Sequence, residues 1–151
     1  LMENIFSTEG ATSFINRLDK LTPLTKALWG KMNVSQMLAH CNVTYEMCYE
    51  NKHTKPNWFV KFILQTFVKK FVTNETPYKQ GSKTAPPFII TDQKDFELEK
   101  ERLKNYIIKT QELGATHFDG KESHSFGKLN SKEWNNMFAK HLDHHLSQFG
   151  V

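Results

Sequence analysis

Cysteine is scarce in this chain of 151 residues: only Cys41 and Cys48 are present, seven positions apart. On a helix that spacing separates their Cα atoms by about 10 Å, too far for a disulfide. Both thiols are expected to be reduced and packed as small hydrophobes in a cytoplasmic setting. Long apolar runs are missing as well. None approaches the roughly 18–20 residues that span a bilayer, so no membrane insertion is expected. No basic N-terminal segment precedes an apolar stretch, which argues against a signal peptide. Acid is nearly absent from one region: between Lys52 and Thr84, seven lysines share the stretch with a single acid, Glu75. There is no Gly-rich phosphate loop, nucleophile elbow or Cys-x-x-Cys pair, and the mechanisms those motifs support are disfavoured.

What is present describes an ordered helical domain. Hydrophobic residues make up 38% and charged residues 24%, with twelve Phe among the aromatics, which argues against disorder. The length fits one domain over residues 2–151, with Leu1 ahead of Met2 set apart from the fold. Ala11, Phe14, Ile15, Leu18 and Leu21 share one helical face, predicting a helix over 8–21 that Pro23 ends. Asn33 followed by Gln36 reads as a capping box opening a helix to about Asn51. Its buried stripe is Val34, Met37, Leu38, Cys41, Tyr45 and Cys48. A shorter aromatic-rich helix is predicted over 57–71, then a proline-bearing loop to Thr91. Asp92 as N-cap and Gly114 as stop predict a third long helix, and 115–129 reads as irregular. The last helix opens at Asn130 or Ser131 with Glu133 closing a capping box, and ends at Phe149 before Gly150. No period-2 strand finds a partner. The expected class is all-α, a four-helix bundle with one extra short helix.

Seven histidines carry most of the chemical interest. At about 100° per residue, His141 and His145 lie one turn apart on the face of the last helix that holds Trp134 and Phe138. His144 falls at the edge of that face. Two neutral imidazoles at i and i+4 on a buried face form a ready chelate for a divalent metal. The plain alternative is a pair of hydrogen-bonded core histidines. His40 flanks the apolar stripe of the second helix, where a half-buried structural histidine is also an ordinary finding. A bundle can aim ligands from two helices into one cavity, and three histidines would leave one position open, a catalytic geometry.

Two segments resemble a known family. Trp29 to Cys41 (WGKMNVSQMLAHC) looks like the start of the second helix in DinB-like proteins. His124 to Trp134 (HSFGKLNSKEW) and Lys140 to Gly150 (KHLDHHLSQFG) resemble the end of a small bacterial branch of that superfamily, of unassigned function. The resemblance implies an up-down-down-up four-helix bundle and often a homodimer. It also implies a divalent metal held by His40, His141 and His145, the pair that the face analysis selects plus the second-helix histidine. Characterised relatives include thiol-cofactor transferases and a mycothiol-dependent isomerase.

The leading expectation is a metal-dependent enzyme acting on a small-molecule substrate. Transfer involving a low-molecular-weight thiol comes first and hydrolysis second. Imidazole ligands suit zinc, nickel, iron or copper, zinc and nickel foremost. No catalytic base is assigned. His124 reads as a cavity-mouth group (a fourth ligand, a proton shuttle or a substrate contact) or as a loop-packing residue, and its neighbour Ser125 stands where the branch often has Pro. Trp134 reads as core or as a substrate contact. Asp143 and Gln148 are candidates to orient an imidazole, and His53 and His117 read as surface residues. Two alternatives stand. One is a non-enzymatic binding or stress-response module that uses the basic segment Lys52 to Lys83 for anionic partners. It has no helix-turn-helix, RNA-binding motif or zinc finger to support nucleic-acid binding. The other is a metal site with a purely structural role.

Overall fold

The computed structural model describes residues 2–151; Leu1 lies outside them. The chain is mostly helical with one small two-stranded sheet. Helix α1 spans Thr8–Asp19, α2 Val34–Tyr49, α3 Trp58–Ile63, α4 Lys69–Thr73, α5 Phe96–Phe118 and α6 Ser131–Gln148. Helices α1, α2, α5 and α6 pack on one another around a single core.

The helix ends are set by side chains, as the sequence predicts. Asn33 accepts from Gln36 N at 2.9 Å and Gln36 Oε1 accepts from Asn33 N at 3.0 Å. Asn130 and Glu133 make the same reciprocal pair, both contacts at 2.9 Å. Each such cap contributes about 1 kcal/mol and fixes where α2 and α6 begin, and with that the rotation of their histidines. Helix α2 is central: Met37, Leu38, Cys41 and Tyr45 are almost fully buried, and so are Ala39 and Val43 on its other sides. Tyr45 stacks on Phe138 of α6 with ring centroids 5.0 Å apart, and Phe118 of α5 meets Trp134 at 5.2 Å.

Three expectations need correction. Helix α5 starts at Phe96 with Asp95 as N-cap, its side chain accepting from Leu98 N at 2.8 Å. Asp92 is occupied in the preceding loop, pairing with Lys94 and accepting from Gln36 Nε2 through its carbonyl. Gly114 does take a left-handed φ of 75°, as a stop would, but one further turn follows it. That turn seats Phe118, which is fully buried. The segment read as irregular holds an antiparallel hairpin, β1 Lys121–Ser123 with β2 Gly127–Leu129. Strands of three residues are too short to show a period of two. The Ser123 hydroxyl closes the hairpin, donating to Gly127 O at 2.7 Å and accepting from Phe126 N at 2.9 Å.

The short aromatic helix is a strap. α3 and α4 run together through a wider π turn over Leu64–Val68. No residue of α3 or of the π turn is buried. Trp58, Phe59, Phe62 and Phe67 turn outward, 82%, 56%, 60% and 74% exposed. Lys140 of α6 holds the far end of the strap. Its Nζ is taken up by Phe71 O at 2.6 Å and Asn74 Oδ1 at 2.9 Å, and it lies 4.5 Å from the centre of the Tyr78 ring. Burial pushes this amine down to about 8.

Charged groups tie α2 to α5. Glu46 and Glu99 are 8% and 6% exposed, and Arg102 bonds to both. Asn42 adds bonds to the Glu99 carbonyl and carboxylate, and His53 reaches Glu46 at 2.8 Å. His53 is thus half-buried and paired rather than a free surface group, whereas His117 is exposed. Removing the cation leaves Glu99 with no charged partner and Glu46 with His53 and Lys52 alone, which is costlier than replacing the whole network with apolar groups. Arg102→Ala is expected to lower unfolding free energy by about 3 kcal/mol in urea denaturation. Adding Glu46→Gln and Glu99→Gln is expected to recover part of that loss.

Candidate metal centre and cavity

His40, His141 and His145 are brought together. Each offers a ring nitrogen, and these atoms lie within 4.8 Å of one another. Ring centroids are 4.4 Å apart for His40 and His145, 4.9 Å for His40 and His141, and 4.8 Å for His141 and His145. His40 Nε2 and His141 Nε2 are 3.0 Å apart. Two nitrogens bound at 2.0–2.1 Å to a tetrahedral ion would stand roughly 3.3 Å apart.

The opposite nitrogens settle which atoms are free. His40 Nδ1 lies 2.8 Å from Phe88 O. A carbonyl only accepts, so Nδ1 carries the proton and Nε2 keeps its lone pair. His145 Nδ1 lies 2.8 Å from Gln148 Oε1, while Gln148 Nε2 donates to Trp29 O at 2.9 Å. That second carbonyl fixes the amide orientation, so Oε1 must accept from Nδ1–H of His145. His145 Nε2 is then an acceptor, and among the described residues no protein donor reaches it. His141 Nδ1 meets the Thr44 hydroxyl at 3.2 Å. Because a hydroxyl donates or accepts, His141 has both tautomers open to it. It can donate from Nε2 to His40, or keep Nδ1–H on Thr44 and present Nε2.

Local backbone sets these ties. Gly30 has φ 89°, and a Cβ there would sit 2.4 Å from Gln148 Nε2. Only glycine lets the chain turn beside the amide that donates to the Trp29 carbonyl. Pro86–Phe88 forms one 3-10 turn whose last carbonyl is the one His40 uses.

All three imidazoles are held neutral. Burial pushes His141 well below the usual value, helped by His145 and His40 nearby. Burial also lowers His40, against the opposing bond to Phe88. His145 falls to about 3, from burial first and the His40 ring second. Neutral imidazole is the ligating form.

The trio opens on a cavity of 1320 Å³ whose wall includes Trp29, Met47, Phe88, Phe126, Trp134 and Met137. His124 lines it but lies outside the trio. Its Nε2 donates to His53 O at 3.1 Å, and its Nδ1 lies 2.7 Å from the Ser125 hydroxyl, so both ring nitrogens are engaged away from the trio. This removes the fourth-ligand reading of His124 and leaves it packed at the cavity wall. His144 is half-buried against Trp29 and Tyr78, with ring centroids 4.9 and 5.5 Å away. Trp134 is core and cavity wall at once, 2% exposed. Asp143 faces solvent and pairs with Arg17 at 2.8 Å, so the orienting partner is Gln148. Cys41 and Cys48 are both free, and Cys48 reaches the cavity wall.

The family described as "Protein of unknown function (DUF1569)" matches residues 6–150. The chain belongs to the DUF1569 family. No curated protein and no solved structure matches it. In this DUF1569 member, no described helix is long and apolar enough to cross a membrane.

Sequence reasoning missed Thr44, Phe88 O and Lys140. Thr44 had a signal, standing one turn after His40 on the same face. A main-chain acceptor 48 residues away has none.

The lowered imidazoles make stability depend on pH. The unfolded chain takes up protons first as pH falls below 6.5, so stability is full above that value and drains toward about 3. In chelator-treated protein, urea denaturation is expected to show falling stability between pH 6.5 and about 5, above the ordinary carboxylate range. His145→Gln is expected to flatten that slope.

Proposed function

We propose that this chain is a divalent-metal-dependent enzyme of DinB-like type, an up-down-down-up four-helix bundle whose ligands are His40, His141 and His145. One observation supports the reading above the rest. At His40 and His145 a hydrogen bond holds the proton on Nδ1, Thr44 allows the same at His141, and the Nε2 side of each ring is left for a shared ion. The donor set is chemically apt: three neutral imidazoles suit zinc or nickel better than magnesium or calcium. Three protein ligands leave a position facing the cavity, which favours a catalytic over a structural site. An ion held there by His40, His141 and His145 would supply Lewis-acid activation of a carbonyl, a thiol or a water.

The protein's own residues do the rest. Gln148, Phe88 O and Thr44 orient the rings. A substrate seated against the apolar cavity wall would displace water, which strengthens electrostatic effects on it. Transfer to or from a low-molecular-weight thiol is the first reading and hydrolysis the second, with no catalytic base assigned. The exposed face of Trp58, Phe59, Phe62 and Phe67 is the surface that a homodimer would cover.

The rival reading, a binding or stress-response module working through Lys52 to Lys83, has less support. Lys52, Lys61 and Lys69 are already paired with carboxylates of the same chain.

Metal content after purification without a polyhistidine tag tests the proposal. One equivalent of zinc or nickel is expected in the unaltered chain and little in His141→Ala or His145→Ala. Gln148→Leu is expected to weaken metal affinity about 10–100-fold, the usual cost of losing a partner that orients a ligand. Equal, negligible metal in all four proteins would contradict it.

A further inference from the structure

The cavity beside the trio has a composition that metal binding alone leaves unexplained. At 1320 Å³ it exceeds the roughly 300–1,000 Å³ of pockets that take drug-sized ligands. The chain carries 16 acidic residues, yet among the described residues no Asp or Glu lines this space. The lining lysines are Lys31 and Lys83, both exposed. The strap forms the roof. Val60, Leu64, Val68 and Val72 recur every fourth residue and all line the cavity. A helical segment that is apolar on both sides is ordinarily buried, but here no residue of α3 or the π turn is. The inner stripe, half-buried at Leu64, Val68 and Val72, therefore lines a space that no protein side chain fills.

Those features select a ligand chemistry. An apolar roof and wall gain free energy when hydrocarbon replaces water against them. An ammonium ion brought inside would find no carboxylate, and burying an unpaired charge is costly. The two lysines steer negative charge toward the opening.

We propose that the cavity binds an organic anion with a large apolar body, the body lying under the strap and the anionic head directed at the three imidazoles. The placement of the head rests on the metal reading above. The apolar body and the preference for negative charge do not.

Titration calorimetry on the full chain tests this with dodecanoate and dodecyltrimethylammonium, both below their micelle concentrations, and metal content measured on the same samples. Dodecanoate is expected to bind saturably with a negative heat-capacity change, the marker of apolar burial. Its affinity is expected to exceed that of the ammonium at least about tenfold, a difference of 1.4 kcal/mol or more. No saturable dodecanoate binding, or equal affinity for the two heads, would overturn the proposal. Chelation is expected to weaken dodecanoate binding several-fold, and an unchanged affinity overturns the placement of the head. Val60→Glu on the inner face of the strap is expected to weaken dodecanoate binding at least about tenfold, whereas Phe59→Glu on the outer face leaves it unchanged. Equal losses in the two variants would place the ligand elsewhere and overturn the proposal. A protein that purifies without metal and still selects dodecanoate sinks the metal reading and keeps the anion preference. A metal-loaded protein that ignores dodecanoate does the reverse.

Discussion

The position of two ring protons governs the rest of the site. Phe88 O takes the Nδ1 proton of His40, and Gln148 Oε1 takes that of His145. Both acceptors are committed. One is a carbonyl with no donor capacity, and the other is an amide whose orientation is fixed by the Trp29 carbonyl. The lone pairs of the two Nε2 atoms are thereby aimed at the cavity before anything binds there. His141 is different, because its partner Thr44 accommodates either tautomer. The trio can rest as a hydrogen-bonded chain from His141 to His40 and convert to three acceptors by moving one proton. Such an arrangement needs no charged imidazole, and burial keeps all three rings neutral.

The ties on these protons come from distant parts of the chain. The Phe88 carbonyl sits on a 3-10 turn that Pro86 and Pro87 start. The Trp29 carbonyl is aimed by a glycine with positive φ in the turn before α2. Two loops of the cavity wall are therefore joined to the histidines rather than laid over them. Lys140 does the same for the strap, holding Phe71 O and Asn74 beside His141 on α6. A lysine with no carboxylate partner, buried and pushed toward neutrality, is an expensive way to attach a loop. It adds no acid to the neighbourhood of a cavity that has none.

The parts legible in the sequence were those governed by local periodicity and caps. The two capping boxes, the face shared by His141 and His145, and the starts of α1, α2 and α6 all follow from spacings of three and four residues. The illegible parts depend on contacts far apart in sequence. Asp95 rather than Asp92 caps α5, and the Asp92 carbonyl is held in the preceding loop by Gln36, 56 residues away. Strands of three residues carry no pattern, so the hairpin was invisible. Aromatic spacing over 57–71 marked a helix correctly but not that its apolar residues divide between a cavity and the exterior. His124 was ambiguous from sequence because its role is set by His53 O, 71 residues away.

The central claim is that three Nε2 atoms share one ion. Anomalous diffraction from crystals of the protein as purified, collected above and below the zinc and nickel edges, tests it most directly. A single strong peak is expected about 2 Å from Nε2 of His40, His141 and His145, present above one of those edges and lost below it. A map with no peak there, showing His141 bonded to His40 and water filling the space beside His145, would contradict it.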